Sequence, residues 1–209
     1  MMLRLTERLR DLGRDPDVRV VAIQSRGDDF CRGRDGRGEA QEPMSAYEMR
    51  SKMMGVILGV YSAIAEVPVP VVSCVQGRAI GFGSALAGGC DITLASDKAR
   101  FSFPEIEHNI PPTLAMAAVM RSVPYKALTY LIYSGEEIDA TTAITFGLAS
   151  RIYPAASFER DVAGFLAKLA GRPRVTLETI KRFQAKTATL GADMVSEYAG
   201  TLLALVRSA

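Results

Sequence analysis

The sequence predicts an α/β layered fold, and two observations carry that expectation: helical patterns alternate with short β-branched runs, and Gly, Pro or Asp punctuates almost every junction between them. The chain has 209 residues, 48% of them hydrophobic, which suits one substantial core. Leu3, Leu5, Leu9 and Leu12 stand at near-helical spacing, and Gly13 stops that helix. VRVVAIQS, residues 18–25, is β-branched enough for a buried strand. RGDDFCRGRDGRGEAQEP, residues 26–43, reads as a glycine-rich charged loop. SAYEMRSKMMGVILGVYSAIAEV is a long helix ended by Pro68 and Pro70, and PVVSCVQG is the next strand. A glycine-rich stretch follows it immediately. The short strands DITLAS and ARFSF come next, parted by a turn at Asp97-Lys98; the loop PEIEHNIPP follows, and the remainder reads as helix-rich.

Composition narrows the function classes. A net charge of +2 with no block of like charges argues against a nucleic-acid groove or an acidic membrane surface as the main partner. Cys31, Cys74 and Cys90 are odd in number and show no C-x-x-C spacing, so neither a disulfide framework nor a metal site is expected, and the reading is a reducing cytoplasm. No window reaches the roughly 18 uncharged apolar residues of a membrane span. A small-molecule or protein partner is therefore expected.

GRAIGFGSALAGGCD, residues 77–91, holds five glycines in fifteen residues. Glycine inside a helix costs about 1 kcal/mol relative to alanine, so the backbone itself must be needed here. A strand feeding a helix leaves the first helical N–H groups unpaired at the positive end of the dipole, and Gly81 and Gly83 let a ligand approach them. A dinucleotide fingerprint fails, because Leu86 stands where its third glycine belongs. The nucleophile elbow fails too, since Ser84 directly follows Gly83. Glycines serving only close packing remain an equal alternative on this stretch alone. DFCRGRD, residues 29–35, places a second glycine just after the first strand, and two such loops can form an oxyanion hole.

FCRGRD (30–35), VQGRAIGFGSALAGGCDITLAS (75–96), FSFPEI (101–106) and SGEEIDATTAITFGLASRIYP (134–154) together resemble the crotonase, or enoyl-CoA hydratase/isomerase, superfamily. The resemblance implies a ClpP/crotonase-type spiral of ββα units over residues 1–155 and a carboxy-terminal helical segment over 156–209. It implies an acyl-CoA substrate whose thioester oxygen sits between the backbone N–H groups of Arg34 and Phe82, with Cys31, Arg32, Gly33, Gly81 and Gly83 forming the surrounding loops. Coenzyme A enters as part of the substrate and no other cofactor is implied. A homotrimer or hexamer, without nucleic acid or membrane, is the implied assembly. Relatives begin with a further hairpin and end with further helices, so both ends read as short.

Departures from the pattern are equally informative. Hydratases of the superfamily carry two glutamates; here the first position is Ala85 and the second is Glu105. Syn addition of water is served by two carboxylates, whereas moving a double bond needs one base that removes and returns a proton. Single-glutamate chemistry, with double-bond isomerisation favoured, is the expectation, and hydration is the alternative. On spacing alone Glu105 also fits an ordinary helix-start carboxylate. Phe82 replaces the usual glycine and projects a ring towards the thioester. His108, the single histidine, is expected to be a structural or exposed loop residue. Arg26, Arg32, Arg34 and Arg37 suit the phosphates of coenzyme A, or equally a solvated loop with Asp28, Asp29 and Asp35 as counter-charges. Outside enzymes, a non-catalytic acyl-CoA-binding or structural oligomer protein is the competing reading, and acyl-CoA binding without conversion would select it.

Overall fold

Residues 1–34, 45–188 and 190–208 are described by the computed structural model; Asp35 and Arg37 lie outside them. The amino-terminal leucine pattern forms α1 (Met2–Arg14), which buries Leu9. The run 18–25 yields only a three-residue strand, β1 (Val21–Ile23). Among the described residues it is an edge strand whose one neighbour is β2 (Val71–Val75), with Val21 opposite Val71. Pro70 ends the available ladder there: its carbonyl accepts from the Val21 N–H, but it has no N–H of its own.

Ser45 opens the long helix through a capping box with Glu48. The helix runs as α2 (Ala46–Glu48), a π-helical turn (Met49–Met54) and α3 (Gly55–Glu66). After β2 the expectation needs correcting. The chain does not pass directly into the glycine turn; it corners at Gln76-Gly77 and forms β3 (Arg78–Ile80) in a second sheet. Side chains from and to the loop after β1 hold that corner. Gln76 Nε2 donates to Ser25 Oγ at 2.6 Å, and Asp29 Oδ1 accepts from the Arg78 N–H at 2.9 Å. Next come α4 (Phe82–Gly88), β4 (Ile92–Ser96) and β5 (Arg100–Ser102), then a 3₁₀ turn (Pro104–His108) and α5 (Thr113–Val119).

The rest is helical with two interruptions that periodicity does not reveal. These are β6 (Ile138–Asp139), between α6 (Tyr125–Ser134) and α7 (Ala140–Thr145), and β7 (Arg151–Tyr153). Strands of two and three residues are too short to alternate visibly. Then follow α8 (Phe158–Ala170), α9 (Arg174–Thr187) and α10 (Ala192–Ser208). One sheet is wholly parallel in the order β1-β2-β4-β7; in the other, β3-β5-β6, the last pair is antiparallel. Each pass of the chain lays one strand in the first sheet and one in the second before a helix returns it: β2, β3, α4, then β4, β5, α5. Residues after β1 do the same in reduced form, since Cys31 pairs with Ala79 in a single parallel bridge before α2.

Every residue of β2 is buried. Val71 and Val75 face the main core, whereas Val72 and Cys74 face Phe158 and Val162 of α8. A buried cation ties the carboxy-terminal helices to this sheet. Lys181 Nζ of α9 bonds Asp91 Oδ2 at 2.7 Å and the carbonyl of Ile64 at 2.9 Å, while the same carboxylate oxygen accepts from the Val71 N–H at 2.8 Å. Lys181 is the buried partner, whereas the Asp91 side chain keeps 29% of its surface exposed, so removing the lysine leaves a carboxylate that water reaches together with the unpaired carbonyl of Ile64. Lys181→Met is accordingly expected to lose about 1–3 kcal/mol in chemical denaturation, with Asp91→Asn recovering part of it. Equal losses for the single and double variants would show that the pair itself contributes nothing. Among the described residues no helix is long and apolar enough to cross a membrane.

Candidate active site

The end of β3 brings the two glycine loops together. The Ile80 N–H donates to the Cys31 carbonyl at 2.9 Å, so residues 32–34 leave the bridge alongside Gly81. Ser102 of β5 then fixes the turn from the other side. Its carbonyl accepts from the Gly81 N–H at 2.9 Å, and its N–H donates to Ser84 Oγ at 3.1 Å. Ser84 is fully buried and donates in turn to the Ala79 carbonyl at 2.6 Å, so its hydroxyl is committed to joining β3, β5 and α4. Two residues beyond Ser102, Pro104 opens the 3₁₀ turn that presents Glu105.

Gly81 has φ +54 and ψ −113, a conformation only glycine holds without strain. The Glu105 carboxylate lies against it: a Cβ at position 81 would stand 2.9 Å from Glu105 Oε1. Gly83 answers to packing instead, since a Cβ there would meet the Cys31 carbonyl oxygen at 2.1 Å. Close packing thus accounts for Gly83, while Gly81 gives room to a carboxylate. Among the described residues no backbone carbonyl accepts from the Phe82 N–H, the first of α4.

These loops open into a cavity of about 510 Å³. Arg32, Gly33, Arg34, Gly81, Phe82 and Glu105 line it. Cys31 and Gly83 are not on its wall and meet each other behind it. Ala85 is fully buried, so a glutamate introduced there would enter the core rather than open solvent. Arg32 lies 3.7 Å from Asp29 with its side chain 69% exposed, a pair worth little energetically. Among the described residues no three His, Cys, Asp or Glu side chains are placed to share a metal ion.

Burial pushes the Glu105 carboxyl above the ordinary carboxylate range, against weaker opposing pulls from its own backbone N–H and from His108. Its Oε2 is buried and has no hydrogen-bond partner among the described residues. A carboxylate so placed is poised to take a proton. His108 is exposed, as expected, but closes the 3₁₀ turn rather than lying in a loop, and it also lines the cavity. Tyr61 of α3 escaped the sequence reading. Its ring stacks on Phe82, with centroids 6.1 Å apart and planes 23° apart. The available signal was its place on the buried face of the helix, four residues after Ile57 and three before Ile64.

With that geometry in place, comparison with known proteins decides the family. The profile of the enoyl-CoA hydratase/isomerase family matches residues 1–202. The chain belongs to this family. A solved enoyl-CoA hydratase from Mycobacterium smegmatis superposes with a TM-score of 0.91 at 27% identity, covering 98% of this chain and 79% of that one. The two-sheet spiral described above is therefore the crotonase fold. The human mitochondrial protein named enoyl-CoA hydratase domain-containing protein 3 is 31% identical over 163 residues, 77% of this chain and 53% of its own length. Its Xenopus laevis counterpart is 28% identical over 187 residues, 88% of this chain and 63% of its own length. This family member spans less than two thirds of those two relatives.

Proposed function

We propose that the protein acts on an enoyl-CoA thioester through an enolate, with Glu105 moving the proton and the backbone N–H groups of Arg34 and Phe82 facing the thioester oxygen. The observation that carries this reading is the half-buried Glu105 carboxylate folded onto Gly81, beside the Phe82 amide and in one cavity with Arg34. Glu105 takes a proton from C2 of a 3-enoyl thioester, and the electron pair moves into the carbonyl to give an enolate. As the enolate collapses the double bond settles between C2 and C3, and the same carboxyl returns the proton at C4. Negative charge peaks on the thioester oxygen, where each preorganised donor is worth about 2.7–4 kcal/mol. One carboxylate suffices for that sequence, and Glu105 is the single carboxylate among the described residues that line the cavity.

Hydration of a 2-enoyl-CoA is the second reading, favoured by the names of the relatives. Coenzyme A is then part of the substrate, and no further cofactor is called on. Assembly into homotrimers or hexamers is supported by apolar side chains left exposed on α9 and α10, among them Val175, Ile180, Leu203 and Leu205. Three free cysteines suit a reducing compartment such as the cytoplasm. The test offers 3-enoyl-CoA and 2-enoyl-CoA separately and follows double-bond migration and hydration. Migration well ahead of hydration is expected. Hydration as fast as migration would overturn the single-carboxylate mechanism, and binding of both thioesters without conversion of either would select the non-catalytic acyl-CoA-binding reading.

A further inference from the structure

We propose that Ser84 is a positioning residue whose hydroxyl holds the Glu105 carboxylate in register with the Phe82 amide. This rests on the enolate reading of the cavity and names the side chain that keeps its two working parts together. Glu105 and Phe82 belong to different segments, the 3₁₀ turn after β5 and the first turn of α4. Ser84 is wholly buried in that first turn. Its Oγ accepts from the Ser102 N–H at 3.1 Å and donates to the Ala79 carbonyl at 2.6 Å, so one hydroxyl joins α4 to both β5 and β3. Ser102 is gripped a second time, because its carbonyl accepts from the Gly81 N–H at 2.9 Å. Both tethers on Ser102 therefore come from residues that flank Phe82, and the chain leaves Ser102 to reach Glu105 three residues later.

The Glu105 side chain has little of its own to hold it. Its Oε2 has no hydrogen-bond partner among the described residues, and its Oε1 rests against the open face of Gly81. The carboxylate therefore stands where the backbone leaving Ser102 puts it, and that backbone is fixed by the two tethers. Ser84 is not on the cavity wall, so it acts through Glu105 and Phe82 and never on the thioester itself. Alanine fills nearly the same space without the hydroxyl and leaves Ser102 held from one side only. The 3₁₀ turn is then free to drift from Gly81, and a reacting group that drifts by a fraction of its contact distance loses rate steeply.

The test follows turnover of 3-hexenoyl-CoA across pH for the unmodified protein, Ser84→Ala and Ser84→Thr, with folding checked by circular dichroism. Ser84→Ala is expected to be about tenfold slower, the factor one neutral hydrogen bond supplies. It is also expected to move the rise of turnover to lower pH, because a carboxyl that drifts from Gly81 gains water and loses part of the burial that lifts it. The charged or titratable side chains that share the cavity with Glu105 are Arg32, Arg34, Tyr61 and His108, and the substitution alters none of them. A smaller folded fraction scales the rate without moving that pH, so the shift separates positioning from stability. Ser84→Thr keeps the hydroxyl and is expected to recover most of the rate and the original pH dependence. An unshifted pH dependence in Ser84→Ala, a Ser84→Thr protein as impaired as Ser84→Ala, or a Ser84→Ala protein that does not fold overturns the assignment while the enolate reading stands. No conversion of the thioester by the unmodified protein overturns both.

Discussion

Glu105→Gln is expected to reduce turnover by about 10³-fold, the scale of a lost general base, and at the same time to raise the thermal midpoint at pH 7. Both effects come from the burial that lifts the Glu105 carboxyl above its ordinary range. A carboxyl whose pKa is higher folded than unfolded binds its proton more tightly in the fold. Its favourable contribution is complete below the unfolded value of about 4.3 and is lost as pH rises through the folded value. At pH 7 the ionised group therefore costs stability, and its Oε2 finds no hydrogen-bond partner among the described residues to offset that cost. The neutral amide escapes the charge penalty. If the relief is about 1 kcal/mol, a chain of this size gains about 2–4 °C. Calorimetry at pH 7 and near pH 4 separates the cases: the gain should be present at the first and nearly gone at the second. A variant less stable than its parent at pH 7 would mean that the fold, rather than a substrate, is what the carboxylate serves. Turnover by the unmodified protein should rise with pH through the same elevated value, because only the ionised form accepts a proton.

Legibility in the sequence followed the range of the interactions. FCRGRD and GRAIGFGS announce two backbone-presenting loops because each needs glycine at fixed local positions, and PEI places Glu105 directly after a strand. The corner at Gln76-Gly77 was hidden because it takes two residues and is held by Ser25 and Asp29, about fifty positions away. Tyr61 was hidden for the same reason, since its partner Phe82 belongs to another element and a tyrosine on a helix face looks like core. Lys181 reads as an ordinary helix lysine until α9 folds back over Asp91. The division of labour between Gly81 and Gly83 was also out of reach: both satisfy the same motif, and only the approach of Glu105 to one and Cys31 to the other distinguishes them.

That division sets the last expected result. Gly83→Val should fail as a folding defect, because even its Cβ would stand 2.1 Å from the Cys31 carbonyl oxygen and 2.9 Å from the Cys31 Cβ, and neither belongs to a flexible side-chain end. The bridge between Cys31 and Ala79 must open, and the thermal midpoint should fall steeply. Gly81→Ala should fail differently. Its new Cβ meets the end of the Glu105 side chain, which can swing away, so the cost to stability is chiefly backbone strain of about 1–3 kcal/mol at a positive φ. Turnover should drop by about a hundredfold, the penalty for displacing a reacting group by about 1 Å. Combining Gly81→Ala with Glu105→Gln discriminates the route of that loss. If Gly81 acts by giving room to the carboxylate, the double variant should be no slower than Glu105→Gln alone, since the group being displaced no longer accepts a proton. Additive losses would instead assign Gly81 to aiming the Phe82 N–H, leaving Glu105 positioned by the 3₁₀ turn itself.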